Sequence, residues 1–133
     1  MKQMITEHDL FAWADGMEQQ MKDVKEMETY LTFDAYQEFT DSTAIYPDHK
    51  ALEYLALGLT SEAGEVAGKI KKWIRDGIFD VDDVAAEIGD VIWYCAQLCS
   101  TLELYMSEVV KENVDKLSDR KERNMIGGNG DKR

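Results

Sequence analysis

Apolar residues recur every three or four positions along most of the chain, which is the spacing of one face of an α-helix. The pattern is clearest from about Lys50 to Arg75 and stops at Asp76-Gly77, where glycine can serve as the C-terminal cap. The apolar stripe of this segment consists of Leu52, Leu55, Leu59, Val66, Ile70 and Trp73. We therefore predict a long amphipathic helix that ends in a tight turn.

A second long helix is predicted directly after that turn. Asp80 is placed to cap its N-terminus, and Asp83, three residues later, supports a helix start at this point. The apolar periodicity then continues to about Leu104. The positions predicted to face inward are Val84, Ile88, Val91, Ile92, Cys95, Leu98 and Leu102.

Three further segments have helical periodicity. One runs from Thr32, a suitable N-terminal cap, to about Thr43, and another runs from Met106 or Ser107 to about Arg123. The third is an acidic, methionine-rich segment from about Glu7 to Thr29, which we interpret as a helix for packing or dimer contact.

An all-α fold follows from these elements. No stretch alternates with the period of two that strands need, and the chain contains one proline, Pro47. Short connections favour antiparallel neighbours, so we predict a four-helix bundle core with an additional N-terminal helix. We expect an accessory helix in residues 1–30, the helical domain in residues 31–124 and a flexible glycine-rich basic tail in residues 125–133.

The composition limits the choice of partners. The 133 residues carry a formal net charge of −12, which disfavours nucleic acid polymers and anionic membranes. The sequence shows neither a signal peptide nor a membrane span, so we expect a cytoplasmic location. Cys95 and Cys99 lie on an apolar stripe and are predicted to be buried thiols, since zinc needs more Cys or His ligands nearby.

Four carboxylates lie on the two central helices. Glu62 and Glu65 are three residues apart, and Glu87 and Asp90 repeat that spacing, so each pair projects from one helix face. Each pair lies a similar number of residues from Gly77, and antiparallel packing about this turn would place the pairs at the same level. Four carboxylates that converge need protons, basic partners or a metal to compensate them, and carboxylate oxygens suit Mg²⁺ or Mn²⁺. The alternative is that they are ordinary solvent-facing charges.

Other metal sites fit the sequence less well. A di-iron carboxylate bundle uses Glu-x-x-His motifs, and neither His8 nor His49 has a glutamate three residues before it. An EF-hand is also disfavoured, because residues 76–83 lack its alternating ligands and its central glycine.

Basic residues accompany the acidic pairs. Lys69 shares the face of Glu62 and Glu65, and Lys72 follows it. On the last predicted helix, one face carries Asn113, Lys116 and Arg120. These residues are either a phosphate-binding group or ordinary surface charges that pair along a helix.

Several motifs together resemble a known family. The segments LTSEAGEVAGKIKKWIRDG and AAEIGDVIWYCAQL resemble the MazG-like branch of the all-α nucleoside triphosphate pyrophosphatases, in which Glu-x-x-Glu is followed by Glu-x-x-Asp. The segment NVDKLSDRK resembles the Asn-x-x-Lys-Leu-x-x-Arg segment of that family, and the ending IGGNGDKR resembles small phage-encoded members. The resemblance extends over about residues 33–133.

The resemblance implies a reaction and a set of residues. The reaction is hydrolysis of a nucleoside triphosphate between its α- and β-phosphates, with Mg²⁺ as the cofactor, Mn²⁺ as a possible substitute, and a homodimer or homotetramer as the assembly. The implied metal ligands and catalytic residues are Glu62, Glu65, Glu87 and Asp90. The implied or plausible substrate contacts are Lys69, Lys72, Trp73, Tyr94, Asn113, Lys116 and Arg120.

The specificity and two alternative functions stay open at this level. Tyr36, Gln37, Thr43 and Tyr46 precede the carboxylate helices, and they either line a base pocket or belong to the core. One alternative is a narrower dUTP or dCTP pyrophosphatase. Another is a non-enzymatic acidic interaction protein, whose carboxylates would point separately into solvent.

Overall fold

The computed structural model describes residues 31–127, and every regular element in that range is helical. The helices are α1 (Phe33–Asp41), α2 (Ala51–Asp76), α3 (Val81–Thr101) and α4 (Met106–Glu122), with a 3₁₀ turn at Asp48–Lys50 before α2. The all-α prediction is confirmed. None of these helices is both long and apolar enough to cross a membrane. The predicted N-terminal helix and most of the predicted tail lie outside the described residues.

Two predicted helix starts are confirmed in atomic detail. The Thr32 hydroxyl oxygen accepts a hydrogen bond from the Ala35 amide at 3.1 Å. The Asp80 carboxylate accepts one from the Asp83 amide, also at 3.1 Å. Each contact satisfies an amide that has no partner within its own helix, so these side chains fix where α1 and α3 begin.

The ends of the two long helices differ from each other. Gly77 caps α2 in the left-handed conformation, with φ of 70°, and its amide donates to the Trp73 carbonyl at 2.7 Å. Helix α3 was predicted to reach about Leu104 but ends at Thr101. The chain turns away because Glu103 has a φ of 57°, a conformation that cannot continue a right-handed helix.

Helices α2 and α3 form the main contact of the fold, a hairpin closed by the short turn after Gly77. Helix α1 packs on α3, and α4 packs mainly on α1. The buried core cluster is small, with Ala96, Cys99 and Met106 covered in part by Tyr36 and Cys95. Cys95 and Cys99 are free thiols. Cys99 is buried, as predicted, whereas Cys95 is only partly buried, and burial raises the pKa of each.

Gln37 joins α1 to the segment between α3 and α4. Its side-chain amide donates to the Ser100 hydroxyl at 3.1 Å and to the Leu104 carbonyl at 2.9 Å. Its oxygen accepts from the Met106 amide at 2.7 Å. Gln37 is buried and is used by the fold in this way, which favours its interpretation as a core residue.

Part of the predicted core is exposed. Among the positions that were expected to face inward, 40–51% of the side chain is exposed at Leu52, Ile88, Ile92 and Leu102. The reason is that only α1 packs against the α2–α3 hairpin as a further major layer within residues 31–127. A stripe that periodicity marks as apolar is therefore only partly covered within one chain.

Candidate functional site

Three carboxylates converge where α2 and α3 face each other. Glu62 of α2 and Glu87 and Asp90 of α3 each offer one oxygen, and these oxygens all lie within 4.8 Å of one another. Burial raises the pKa of Glu62, and the charges of Asp90, Glu87 and Glu65 raise it further. The structure thus concentrates negative charge at a point where it is incompletely solvated.

The hairpin explains the convergence. Because α2 and α3 run in opposite directions from the turn at Gly77, residues at similar distances from the turn meet. Glu65 is exposed and does not belong to the three-carboxylate group, although its charge still acts on Glu62. Three of the four carboxylates predicted to converge therefore do so.

The chemistry of this group fits a divalent cation. Carboxylate oxygens are the ligands that Mg²⁺ prefers, and Mg–O distances of about 2.0–2.1 Å place ligands on opposite sides of the ion roughly 4 Å apart. The oxygens of Glu62, Glu87 and Asp90 lie within 4.8 Å of one another, which is close to that distance. Glu62, Glu87 and Asp90 would hold the cation, and Glu65 lies one helical turn from Glu62 as a fourth donor.

Lys69 of α2 is a basic residue in contact with the acidic group. Its ammonium lies 2.8 Å from an Asp83 oxygen and 3.4 Å from a Glu87 oxygen. The hydrogen bond with Asp83 is the main cause that raises the pKa of Lys69, and the same bond lowers the pKa of Asp83. Lys69 thus places a positive charge at the edge of the carboxylate group, where a phosphate oxygen could replace one of its partners.

A cavity of about 270 Å³ extends from Lys69 towards the turn. Its lining residues are Lys69, Lys72, Asp76, Ile78, Phe79, Asp80, Asp83 and Val84. Trp73, predicted as a further substrate contact, packs on Phe79 with ring centroids 4.8 Å apart. The structure therefore brings Lys69 and Lys72 into one cavity and shows Trp73 packing against the residues of the turn.

The polar face of the last helix lines a different cavity. Asn113 and Lys116 line a second cavity together with Val109, Val110 and Glu112, and it shares no residue with the cavity at Lys69. Arg120 is buried, with 5% of its surface exposed. Since α4 packs mainly on α1, the placement of these three residues opposite the carboxylates stays a prediction.

Two of the four residues proposed for base recognition are engaged in packing the chain before α2. The Thr43 hydroxyl oxygen accepts a hydrogen bond from the Trp93 indole at 2.8 Å. The Tyr46 hydroxyl donates to the Gln97 side-chain oxygen at 2.6 Å. Both contacts tie this segment to α3, as a structural role requires.

Tyr36 instead lines an apolar cavity of about 330 Å³. The remaining lining residues are Leu31, Thr32, Phe33, Gly89 and Ile92. Gly89 directly precedes Asp90 on α3, so this cavity lies near Asp90. Burial raises the pKa of Tyr36, and the charge of Asp90 adds to that effect.

Tyr94 lies four residues after Asp90 on α3 and packs its ring against Gly58 of α2. Burial raises its pKa, and the neighbouring Tyr54, Glu62 and Asp90 raise it further. The sequence analysis did not identify Tyr54 or the neighbouring Gly58. The pattern that could have identified them is the spacing of four that joins Tyr54, Gly58 and Glu62 along one face of α2.

A helical hairpin that brings several carboxylates together, with lysines at their edge, is typical of enzymes that act on phosphate anhydrides. Residues 50–125 match the family described as the MazG nucleotide pyrophosphohydrolase domain, and the chain belongs to that family. It is also 44% identical over 111 residues to Gene 37 protein of Mycobacterium phage L5, which covers 75% of this chain and 97% of the relative. A comparison with solved structures gave no match.

Proposed function

We propose that this chain hydrolyses nucleoside triphosphates between the α- and β-phosphates, with Mg²⁺ as cofactor, to give a nucleoside monophosphate and pyrophosphate. The observation that carries the proposal is the convergence of Glu62, Glu87 and Asp90 within 4.8 Å. The ammonium group of Lys69 lies 3.4 Å from Glu87, so this acidic group has a positively charged side chain beside it that can bind a phosphate oxygen. Membership of the MazG nucleotide pyrophosphohydrolase family supports the reaction class.

The proposal assigns different tasks to the residues around the site. Glu62, Glu87 and Asp90 hold the cation, with Glu65 as a fourth carboxylate. A bound divalent cation supplies charge neutralisation at the phosphates and lowers the pKa of coordinated water. Lys69 and Lys72 bind phosphate oxygens from the cavity next to the turn. Asn113, Lys116 and Arg120 are proposed as further phosphate contacts, for which the resemblance of NVDKLSDRK is the support.

The nucleobase would occupy the apolar cavity bordered by Tyr36 and Gly89. The cavity adjoins Asp90 and offers the rings of Phe33 and Tyr36, and aromatic rings stack on all bases. Most of its lining is apolar, so it offers few groups that could distinguish one base from another. We therefore expect activity on several bases rather than a strict preference for one.

Two alternative functions can be compared with this proposal. A narrower dUTP or dCTP pyrophosphatase would use the same carboxylates, and only its substrate range would differ. A non-enzymatic interaction protein would have carboxylates that point separately into solvent, and the convergence at Glu62 argues against it.

The direct test is a panel of ribo- and deoxyribonucleoside triphosphates with Mg²⁺, Mn²⁺ or EDTA. We expect equal amounts of monophosphate and pyrophosphate, measured by chromatography and phosphorus NMR, and no turnover in EDTA. Glu62→Gln and Glu65→Gln should abolish turnover, whereas Glu53→Gln, an exposed carboxylate on the same helix, should not. Full Mg²⁺-dependent activity in Glu65→Gln would show that the four-carboxylate assignment is wrong.

We also propose that the chain works as a homodimer or homotetramer. Large apolar side chains are exposed on the hairpin, including 73% of Leu57 and 77% of Ile74. Exposed apolar area of this kind is typical of surfaces that bind another protein. Light scattering of the purified protein should give a multiple of the 15.2 kDa chain mass, and a monomer at micromolar concentration would contradict the proposal.

A further inference from the structure

The side chain of Lys69 bridges the two helices of the hairpin next to the carboxylate group. Its ammonium nitrogen lies 2.8 Å from an Asp83 oxygen and 3.4 Å from a Glu87 oxygen, so two carboxylates of α3 share one positive charge from α2. Glu87 belongs to the three-carboxylate group, whereas Asp83 does not. The nearer partner of Lys69 is therefore the carboxylate that lies outside the proposed cation site.

The start of α3 fixes the position of Asp83. The Asp80 carboxylate accepts a hydrogen bond from the Asp83 amide at 3.1 Å, which determines where the first turn of the helix lies. Glu87 follows four residues later, and residues four apart lie on the same face of a helix. Asp83 and Glu87 are thus presented to Lys69 on successive turns of one helix face.

The two contacts of Lys69 differ in their exposure to water. The side chains of Lys69 and Glu87 are 25% and 18% exposed, whereas that of Asp83 is 58% exposed. Opposite charges attract each other more strongly where less water screens them, so Glu87 is a strong competitor for the ammonium group despite the longer distance. Within residues 31–127, Glu87 is the ion-pair partner that Lys69 would keep if Asp83 were lost.

An ammonium group paired with Glu87 alone would compete with a bound cation. Lysine has three N–H donors, which can occupy the carboxylate oxygen that a cation needs, and its charge repels a cation at short distance. Asp83 draws the ammonium group away from Glu87 and towards the cavity next to the turn, which Lys69 and Asp83 line together. From this position the lysine can still donate to a phosphate oxygen.

We propose that Asp83 is a positioning residue that holds the Lys69 ammonium group at the edge of the carboxylate group, so that the Glu87 carboxylate stays available to the cation. This inference rests on the proposed function, in which Glu87 is a cation ligand. Asp83 acts through Lys69 and touches neither the cation nor the nucleotide.

The test is a double-mutant cycle in Mn²⁺ binding, measured by calorimetry on the full chain without nucleotide. We expect Asp83→Asn to weaken Mn²⁺ binding by about two- to fivefold, which is the range that a partly exposed ion pair accounts for. Lys69→Met should bind Mn²⁺ at least as tightly as the wild-type chain, because it removes the competing charge. The double variant should match Lys69→Met, since Asp83 has nothing to position once the ammonium group is gone.

Asp82→Asn is the matched control, because Asp82 is an exposed carboxylate in the same first turn of α3. This change removes the same charge from the same turn and should leave Mn²⁺ affinity near the wild-type value. Asp83→Glu keeps a carboxylate and should bind Mn²⁺ more tightly than Asp83→Asn does. All binding is measured at a temperature at which circular dichroism shows each variant to be folded.

Three results would overturn the proposal and leave the proposed function standing. The first is unchanged Mn²⁺ affinity in Asp83→Asn. The second is an equal loss of affinity from Asp83→Asn with and without Lys69, because Asp83 would then act through its own charge or through the start of α3. The third is an equal loss in Asp82→Asn, which would indicate a general effect of charge at this end of the helix.

Two results on the wild-type chain bear on the proposed function. If the chain bound Mn²⁺ but hydrolysed no nucleoside triphosphate, the proposed function would fail while the cycle still decided the role of Asp83. A chain that bound no Mn²⁺ would refute both proposals.

Discussion

Glu62 on α2 and Asp90 on α3 face each other across the hairpin, and the oxygens that they offer lie no more than 4.8 Å apart. Thirteen residues separate Asp90 from Gly77 and fifteen separate Glu62 from it, so the pair depends on where the turn lies. Like charges at this distance oppose each other, and burial adds to the cost of ionising Glu62. The acidic group therefore destabilises the chain without a cation.

The first prediction concerns the pH dependence of stability without metal. The pKa of Glu62 is raised in the folded chain above its ordinary value of 4.5, so the folded state holds that proton to higher pH than the unfolded state does. Its contribution to stability is then complete below that ordinary value and is lost as the pH rises through the raised pKa. Glu62→Gln should make the chain more stable at neutral pH in EDTA and flatten this decline. Urea unfolding at a series of pH values from about 4 to 8 measures both effects.

Glu53→Gln is the control for that experiment, because Glu53 has the opposite shift. A backbone hydrogen bond and Lys50 lower its pKa, so its contribution is present above the ordinary value and is lost as the pH falls. Added Mn²⁺ should raise the stability of the wild-type chain and have little effect on Glu62→Gln. An equal response of both chains to Mn²⁺ would contradict the assignment of Glu62 as a ligand.

The second prediction concerns Lys69, whose ammonium lies between Asp83 and Glu87. If this lysine binds a phosphate oxygen, Lys69→Met removes one charge-assisted hydrogen bond, which is worth about 1.5–3 kcal/mol. KM for the nucleotide should then rise by roughly tenfold or more, since each 1.4 kcal/mol is a factor of ten. Steady-state kinetics measures this change, with Lys71→Met as the control because Lys71 is exposed. Equal KM values for the two variants would exclude Lys69 from phosphate binding.

The third prediction separates structure from base recognition at Gln37. Gln37→Leu leaves the buried Met106 amide and the Leu104 carbonyl without the partner they have now. The cost of leaving such groups unsatisfied is about 1–3 kcal/mol each, so the free energy of unfolding should fall by at least that much. Urea titration measures it, with Glu38→Ala on the exposed side of α1 as the control. Altered base preference with unchanged stability would instead make Gln37 a recognition residue.

Three helix boundaries were predictable because local chemistry determines them. Thr32, Asp80 and Gly77 each act on amides or torsions within a few residues. The residue that ends or begins the helix is therefore adjacent to it in the sequence and can be identified there. The convergence of Glu62 with Asp90 was also predictable, since it needs only helical spacing and an antiparallel turn. The exception was the end of α3, where the reversal at Glu103 interrupts an apolar pattern that continues to Leu104.

Side-chain roles that depend on distant partners were not predictable in the same way. Gln37 lies more than sixty residues from Ser100 and Met106, and nothing near it in the sequence indicates that they meet. The exposure of Ile88 and Ile92 depends on which helices cover the hairpin. Periodicity predicts which face of a helix is apolar, but not which element packs against that face. The need for glycine at position 58 was not predictable either, because the residue that leaves no room for a side chain there, Tyr94, lies on another helix.

The fourth prediction tests the apolar cavity as the base site through Gly89. A Cβ atom at Gly89 would meet nothing within 4 Å, so a side chain can begin there without a clash, and leucine favours the helical state more than glycine does. Gly89→Leu should nevertheless fill the cavity that Phe33 and Tyr36 border. KM should therefore rise for every base by a similar factor, at unchanged Mn²⁺ affinity.

The matched control is Gly64→Leu, because Gly64 lies between Glu62 and Glu65 just as Gly89 lies between Glu87 and Asp90. A Cβ atom at Gly64 also meets nothing within 4 Å, and none of the described cavities includes this residue. Any general effect of leucine between two cation ligands should thus appear in both variants, and only loss of the cavity should be specific to Gly89→Leu. If nucleotide KM rose equally in both variants, the base would bind elsewhere. If the rise were confined to Gly89→Leu, and Phe33→Ala also raised KM, the base would bind against α1.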